Sequence, residues 1–177
     1  MEYEIIFESD NIYFVKISKK LVNDYLEMIT SIDVQKYISH NRRKYTLDGE
    51  LEWINEKLNN NDIIFSMIEK ETNEFIGNIE IIEINNNIGE LGITITPKKQ
   101  NKHFGQESLK RFIDYSFNQL KLNGLELNVY NFNTKGIKCY ENVGFIKDGI
   151  GKTNEDIHMS IKNNNLTYNN FISDIII

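Results

Sequence analysis

QNKHFGQESLKRFIDYSF, residues 100–117, and NVYNFNTKGIKCYENVGF, residues 128–145, together decide how this chain is read. The first is a short glycine-containing turn running straight into an amphipathic helix. Leu109, Phe112, Ile113, Phe117 and Leu120 line its apolar face at spacings of three and four. Just upstream, GELGITIT (89–96) predicts a strand ending at Pro97, the sole proline of the chain. Strand, polar loop, helix is a geometry in which loop amides and the positive end of the helix dipole grip a phosphate. Lys98, Lys99 and Lys102 place positive charge beside it. A dinucleotide site of the G-x-G-x-x-G kind is excluded, because those glycines are missing. Taken alone, the segment is also readable as an ordinary strand-to-helix connection with Gly105 easing the turn.

The second stretch predicts a strand, an asparagine, a short helix carrying Tyr140, and then Gly144-Phe145. Singly, each residue has a plain structural explanation. Asn133 is an N-cap for a helix starting near Thr134, Gly144 a helix C-terminal glycine, and Tyr140 a half-buried packing residue. Their joint spacing, Asn133, Gly136, Tyr140, Gly144 and Phe145, and their distance from the first segment carry more information than any one of them.

Together the two segments resemble the two signature motifs of the GNAT superfamily of acetyl-CoA-dependent N-acetyltransferases. The phosphate-loop pattern of that family is Gln or Arg, two residues, Gly, one residue, then Gly or Ala. Gln100 and Gly105 match its ends, whereas His103 stands where the middle glycine is expected. Histidine tolerates a left-handed conformation better than β-branched residues do, so the loop can still wrap a ligand. A histidine touching phosphate or solvent is the plainer role for His103, with a catalytic base as the other.

The resemblance implies that acetyl-CoA enters a wedge between the strand before the phosphate loop and the strand before the Tyr140 helix. By motif position, Ile93, Ile95 and Thr96 would offer backbone groups to pantetheine, and an N–H near Ile95 would polarise the thioester carbonyl. Gln100, Asn101, Lys102, His103, Phe104, Gly105 and Gln106 would cradle the pyrophosphate, and Asn133 is carried over with them. Tyr140 would protonate the departing thiolate, since an unperturbed phenol keeps its proton to about pH 10. Glu90 would act directly or through water as base for the acceptor amine, or else serve as a strand-end carboxylate pairing with the acceptor or a neighbouring lysine. The implied reaction is direct acetyl transfer to a primary amine through a tetrahedral intermediate, with no metal and no acetylated cysteine. The acceptor would be a polyamine, another small amine or a protein N-terminus. The competing reading is an acyl-CoA-binding sensor or interaction module of the same fold that has lost turnover.

Composition sets the bounds. At 177 residues, 40% hydrophobic and 26% charged, the chain suits one domain with a full core. No apolar run approaches the roughly 20 residues that span a bilayer, and the acidic start MEYEIIFESD lacks a signal peptide's basic region. Cytoplasmic residence is expected. Cys139 is the one cysteine and the histidines are isolated, so neither a disulfide nor a metal site is expected. A net charge of −6 disfavours nucleic acid as main partner and suits a cationic acceptor. Alanine is absent altogether while Asn, Ile and Lys are abundant. Gly136 and Ser108 accordingly stand where relatives often carry alanine.

The remaining pattern predicts strands at 3–7, 12–18, 63–68, 75–84, 89–96, 124–130, 145–149 and 156–161, and helices at 19–29, 34–38, from Thr46, 104–120 and 134–142. That order fits an α/β (α+β) fold: a mixed, mostly antiparallel twisted sheet flanked by helices, with the V-shaped opening that the resemblance implies between two central strands. The GNAT likeness covers about residues 11–162, and the branch containing ribosomal-protein and spermidine N-acetyltransferases is the nearest in pattern. Residues 163–177 form a tail whose apolar end, Ile175 to Ile177, needs cover, so a homodimer is expected. Trp53, Arg42, Arg43 and Tyr45 fall in the half that shapes acceptor pockets in the family, without assigned roles.

Overall fold

The structure, a computed structural model, describes residues 3–38 and 45–164. Arg42, Arg43 and Ile175 to Ile177 lie outside the described residues. The chain opens with a hairpin of β1 (Ile5–Glu8) and β2 (Ile12–Lys16), closed by the Ser9 N–H donating to the Ile12 carbonyl at 2.9 Å. Three helices follow: α1 (Val22–Thr30), α2 (Ile32–Ile38) and α3 (Leu47–Asn59). Thr46 caps α3 by accepting from the Gly49 N–H at 3.2 Å. Next come β3 (Ile64–Glu69), β4 (Phe75–Asn85) and β5 (Ile88–Ile95), then α4 (Phe104–Asn118), β6 (Gly124–Tyr130), α5 (Thr134–Asn142), β7 (Ile146–Ile150) and β8 (Asp156–Lys162). The element order is the one the sequence pattern predicts, with β1 starting two residues later.

All eight strands join one sheet in the order β1-β2-β3-β4-β5-β6-β8-β7. Every pairing is antiparallel except β5 with β6, whose connection through α4 makes them parallel. β4 and β5 form the long central hairpin, turned at Asn86 and Asn87 with φ of 50° and 63°. Positive φ at both central residues matches the right-handed twist of the strands, and asparagine tolerates it.

Strand alternation divides the core between the two faces. On one face Ile12, Phe14, Met67, Ile79, Leu91 and Met159 pack beneath α4, which contributes Leu109 and Phe112. Phe7 stacks on Tyr115 with ring centroids 4.2 Å apart, and Glu107 is bound by Ser9 Oγ at 2.7 Å and the Asn11 N–H at 2.8 Å. Burial works to raise the Glu107 carboxyl, but these hydrogen bonds outweigh it and hold it below its ordinary range. The opposite face packs Val15, Ile17, Ile68 and Phe75 against Tyr25 and Met28 of α1 and Ile54 of α3. Helices therefore cover both faces, and α4 is fixed at the sheet's centre.

Candidate active site

The β5–β6 ladder is three residues long. Ile88, Gly89 and Glu90 pair with Gly124, Leu125 and Glu126. Beyond them β5 continues to Ile95 bonded to β4 alone, while β6 continues to Tyr130 bonded to β8 alone. Two parallel strands thus splay apart from Glu90 onward, and a cleft of about 1060 Å³ occupies the opening.

Hydrogen-bond phase along β5 determines which backbone groups face that cleft. The Thr96 N–H donates to the Ile76 carbonyl at 2.8 Å, and Thr94 and Gly92 pair with Asn78 and Glu80 in the same phase. By alternation Ile93 and Ile95 turn their backbone groups toward the wedge. The Ile95 carbonyl there accepts from Gln100 Nε2 at 3.0 Å. Thr96, expected with them to offer backbone groups, has its N–H committed to the Ile76 carbonyl at 2.8 Å, and its carbonyl accepts from the Lys99 N–H at 2.9 Å.

The loop from Gln100 winds through left-handed positions at Asn101 (φ 58°) and His103 (φ 66°) and enters α4 at Phe104. His103 thus holds the conformation a glycine would take most easily. The first intrahelical bond of the turn runs from the Glu107 N–H to the His103 carbonyl, which leaves the amides of Phe104, Gly105 and Gln106 without helical partners. The Phe104 side chain turns into the core, only 7% exposed, and Phe104 lies outside the cleft lining. A Cβ built on Gly105 would sit 3.4 Å from Cys139 Sγ, about ordinary van der Waals contact, so the start of α4 lies against α5 with room for a small side chain.

The lysines divide differently from the sequence expectation. Lys98 pairs with Glu27 at 2.6 Å, and the buried Lys99 is clamped between Glu69 and Glu74. Their charges are answered by carboxylates across the fold, because the turn after Pro97 directs them toward the α1 side and the β3–β4 turn. Lys102 is exposed and lies outside the cleft lining, whereas Lys135, at the second position of α5, lines the cleft and reaches Asn101 Oδ1 at 3.4 Å. Sequence reasoning missed Lys135; its place directly after the cap at Asn133 was the available signal.

On the opposite lip, Asn133 Oδ1 accepts from the Gly136 N–H at 3.0 Å and sets the start of α5. Tyr140 lines the cleft from that helix, packed edge-on against Phe145 at 5.9 Å, and Gly144 ends the helix at φ 103°. Burial drives the Tyr140 phenol well above its ordinary pKa, with neighbouring Cys139 adding to the effect, so it is protonated at neutral pH. Burial raises the Cys139 thiol as well.

Glu90 stands at the apex where the strands part. Lys152 Nζ reaches its two oxygens at 2.6 and 2.9 Å, and Asn128 Nδ2 lies at 3.3 Å. Glu80 faces the cleft from β4; desolvation raises its carboxyl although Lys57, 3.5 Å away, opposes the shift. Sequence reasoning passed over Glu80, since IEIIEIN offers several glutamates and only the strand pairing selects among them. Asn78, beside it, ends a buried relay. The Ser18 N–H donates to the Tyr25 hydroxyl at 3.1 Å, Tyr25 lies 2.7 Å from Ser66 Oγ, and Ser66 donates to Asn78 Oδ1 at 3.0 Å. Burial pushes the Tyr25 phenol up to about 12. The relay holds the amide oxygen of Asn78, a residue that lines the cleft.

Among the described residues no group of His, Cys, Asp and Glu side chains could hold a metal, and no helix is long and apolar enough to cross a membrane. Residues 11–146 match the family model described as an acetyltransferase (GNAT) domain. The spermidine N(1)-acetyltransferase of Vibrio cholerae serotype O1 is 36% identical over 85 residues, 47% of this chain and 49% of that protein. The chain spans about half the length of the first curated relatives it matches. Among solved structures, a GNAT-family acetyltransferase from Bacillus anthracis superposes with a TM-score of 0.78 at 21% identity, over 88% of this chain and 96% of that one. A Vibrio cholerae spermidine N-acetyltransferase in complex with CoA and spermine gives 0.75 at 24%, over 87% and 96%. The latter two likenesses bear on the fold.

Proposed function

Because the chain belongs to the GNAT acetyltransferase family, we propose that it transfers the acetyl group of acetyl-CoA to a small primary amine in the wedge between β5 and β6. The observation that carries the reading is the three-residue β5–β6 ladder, opening onto a cleft with the start of α4 at one lip and Tyr140 on the other. The residues present fit the co-substrate. An extended pantetheine arm would add to the β5 edge at Ile93 and Ile95 as a further strand. The open amides of Phe104, Gly105 and Gln106 at the α4 N-terminus suit a pyrophosphate, with Lys135 supplying charge nearby.

Tyr140, protonated at neutral pH as any phenol is, donates its proton to the departing thiolate. Two carboxylates face the acceptor's side. Glu80 carries the burial-raised basicity that proton abstraction from an ammonium needs, and Glu90 has the position at the apex, with Lys152 bound to it. The spermidine-specific names among the relatives make polyamines the first acceptors to try. Cytoplasmic residence and a homodimer belong to the same reading, tested by fractionation and by light scattering at tens of micromolar.

The test is release of free CoA thiol from acetyl-CoA over a panel of amines and peptide N-termini, alongside calorimetry of CoA binding. Turnover with at least one amine and micromolar affinity, on the order of −8 kcal/mol, are expected. Binding without turnover on any acceptor would turn the protein into an acyl-CoA-binding module. Absence of binding at millimolar CoA would remove the co-substrate assignment.

A further inference from the structure

Lys152 belongs to the turn between β7 and β8, yet its amine lies at the apex of the wedge, 2.6 and 2.9 Å from the two oxygens of Glu90. The turn that carries it is fixed by its own hydrogen bonds. The Gly151 N–H donates to the Asp156 carbonyl at 3.0 Å, and the Asp156 carboxylate accepts from the Thr153 N–H and hydroxyl at 3.0 and 2.9 Å. The Asn131 N–H donates to the Glu155 carbonyl at 2.8 Å and ties the turn to the loop after β6. A Cβ on Gly151 would come within 2.4 Å of Asp156 Cβ and 2.8 Å of Asn128 Oδ1, so glycine is what lets the turn lie against β6. Asn128 in turn donates to Glu90 at 3.3 Å. Backbone packing, and not the reach of a loose side chain, delivers the amine to Glu90.

Its position there is that of a reactant. Leu91 packs in the core beneath α4, so alternation puts the Glu90 side chain on the opposite face of β5, the side from which an acceptor would come. The Glu90 side chain is 13% exposed and that of Lys152 is 64% exposed. An ion pair with one partner largely in solvent is weak, so the amine is free to leave the carboxylate. On the acetyl-transfer reading, an arm held along Ile95 and then Ile93 runs toward this same apex.

We propose that Lys152 is a self-acetylation site: its amine, presented by Glu90, takes one acetyl group from acetyl-CoA within the same molecule. The inference rests on the acetyl-transfer reading. Glu90 removes a proton from the Lys152 ammonium, and the freed Nζ lone pair forms the bond to the thioester carbonyl carbon. The C–S bond then breaks, and the thiolate takes the Tyr140 proton. The second proton lost by the nitrogen passes to water, from which Tyr140 regains its own, and Glu90 returns its proton to solvent. The products are the Lys152 amide, the free CoA thiol and one released proton. An amide carries no charge, so the modified side chain no longer pairs with Glu90 and the reaction stops after one turnover.

Wild-type protein given acetyl-CoA and no amine should release one equivalent of CoA thiol and then stop. Peptide mass mapping should place the acetyl group on Lys152. A pre-positioned amine reacts far faster than a free one, so Lys152 should be labelled at least about tenfold faster than the exposed Lys110 and Lys138. The rate should not depend on protein concentration. Acetyl phosphate, which needs no CoA cleft, should label the three lysines alike. Lys152→Arg keeps a cation beside Glu90 without a primary amine and should abolish the burst of thiol. Glu90→Gln should slow labelling of Lys152 by about tenfold or more and leave Lys110 unchanged. Labelling of Lys152 no faster than of Lys110, or the same preference for Lys152 with acetyl phosphate, overturns the inference while acetylation of added amines stands. So does undiminished labelling in a Glu90→Gln protein with native circular dichroism, or a rate that rises with protein concentration. Absence of CoA binding and of thiol release with every amine removes the acetyl-transfer reading and this inference with it.

Discussion

The two sides of the cleft are built from different materials. The side made by β5, α4 and α5 presents mostly backbone: edge groups of Ile93 and Ile95, amides at the start of α4, and a capped helix that carries one phenol. The side made by α1, α3 and β4 presents buried carboxylates, aromatic rings and a hydrogen-bonded relay. A backbone site depends on local conformation and survives changes of side chain, as His103 in a glycine's conformation illustrates. A side-chain site depends on which residues the packing brings together, and one substitution there changes what it recognises. On the proposed reading the co-substrate would meet the conformational side and the acceptor the chemical side.

Tyr140→Phe gives the largest expected effect and tests whether the backbone side is as indifferent to side chains as this contrast says. It is the exception there: the ring and its packing on Phe145 remain while the only proton to be delivered is deleted. Turnover should fall about 10²–10⁴-fold with CoA affinity unchanged. A loss under roughly tenfold, about 1.4 kcal/mol in the barrier, would make Tyr140 a packing residue.

Asn133→Ala comes next. It removes the acceptor for the Gly136 N–H, so chemical denaturation should show a loss of about 1 kcal/mol. An unaltered midpoint would mean that packing alone sets the start of α5.

Ser116→Ala should move stability the other way. Ser116 Oγ is fully buried within α4 and has no partner, and alanine is the better helix former by about 0.5 kcal/mol. Relief of the orphaned hydroxyl adds to that gain. A destabilised variant would show that the hydroxyl contributes to the core.

His103→Gly should be the mildest. Relief of a left-handed residue, about 1–2 kcal/mol, is offset by glycine's chain entropy, about 0.5–1 kcal/mol, for a net gain near 0.5 kcal/mol. CoA affinity by calorimetry should be equal or better. A large loss would give the imidazole a direct part in binding and blur the division between the two sides.

That division also decides what was legible without coordinates. Strand and helix order, the apolar face of α4, the cap at Asn133 and the glycine stop at Gly144 were readable because each is set by residues within a few positions of one another. The family likeness was readable for the same reason, since a phosphate loop and a capped helix are contiguous in sequence. Tertiary structure alone decided that Lys98 and Lys99 answer Glu27, Glu69 and Glu74 rather than an open site. It likewise decided that Thr96 commits its N–H to Ile76, that Glu80 faces the cleft, and that Glu50 lies buried with no hydrogen bond or ion pair among the described residues. Each of those outcomes depends on strand register or on a helix face meeting a sheet, which joins residues from 12 to 71 positions apart. A local pattern carries information about its own backbone, and the partner of a charge is fixed by the packing of the whole chain.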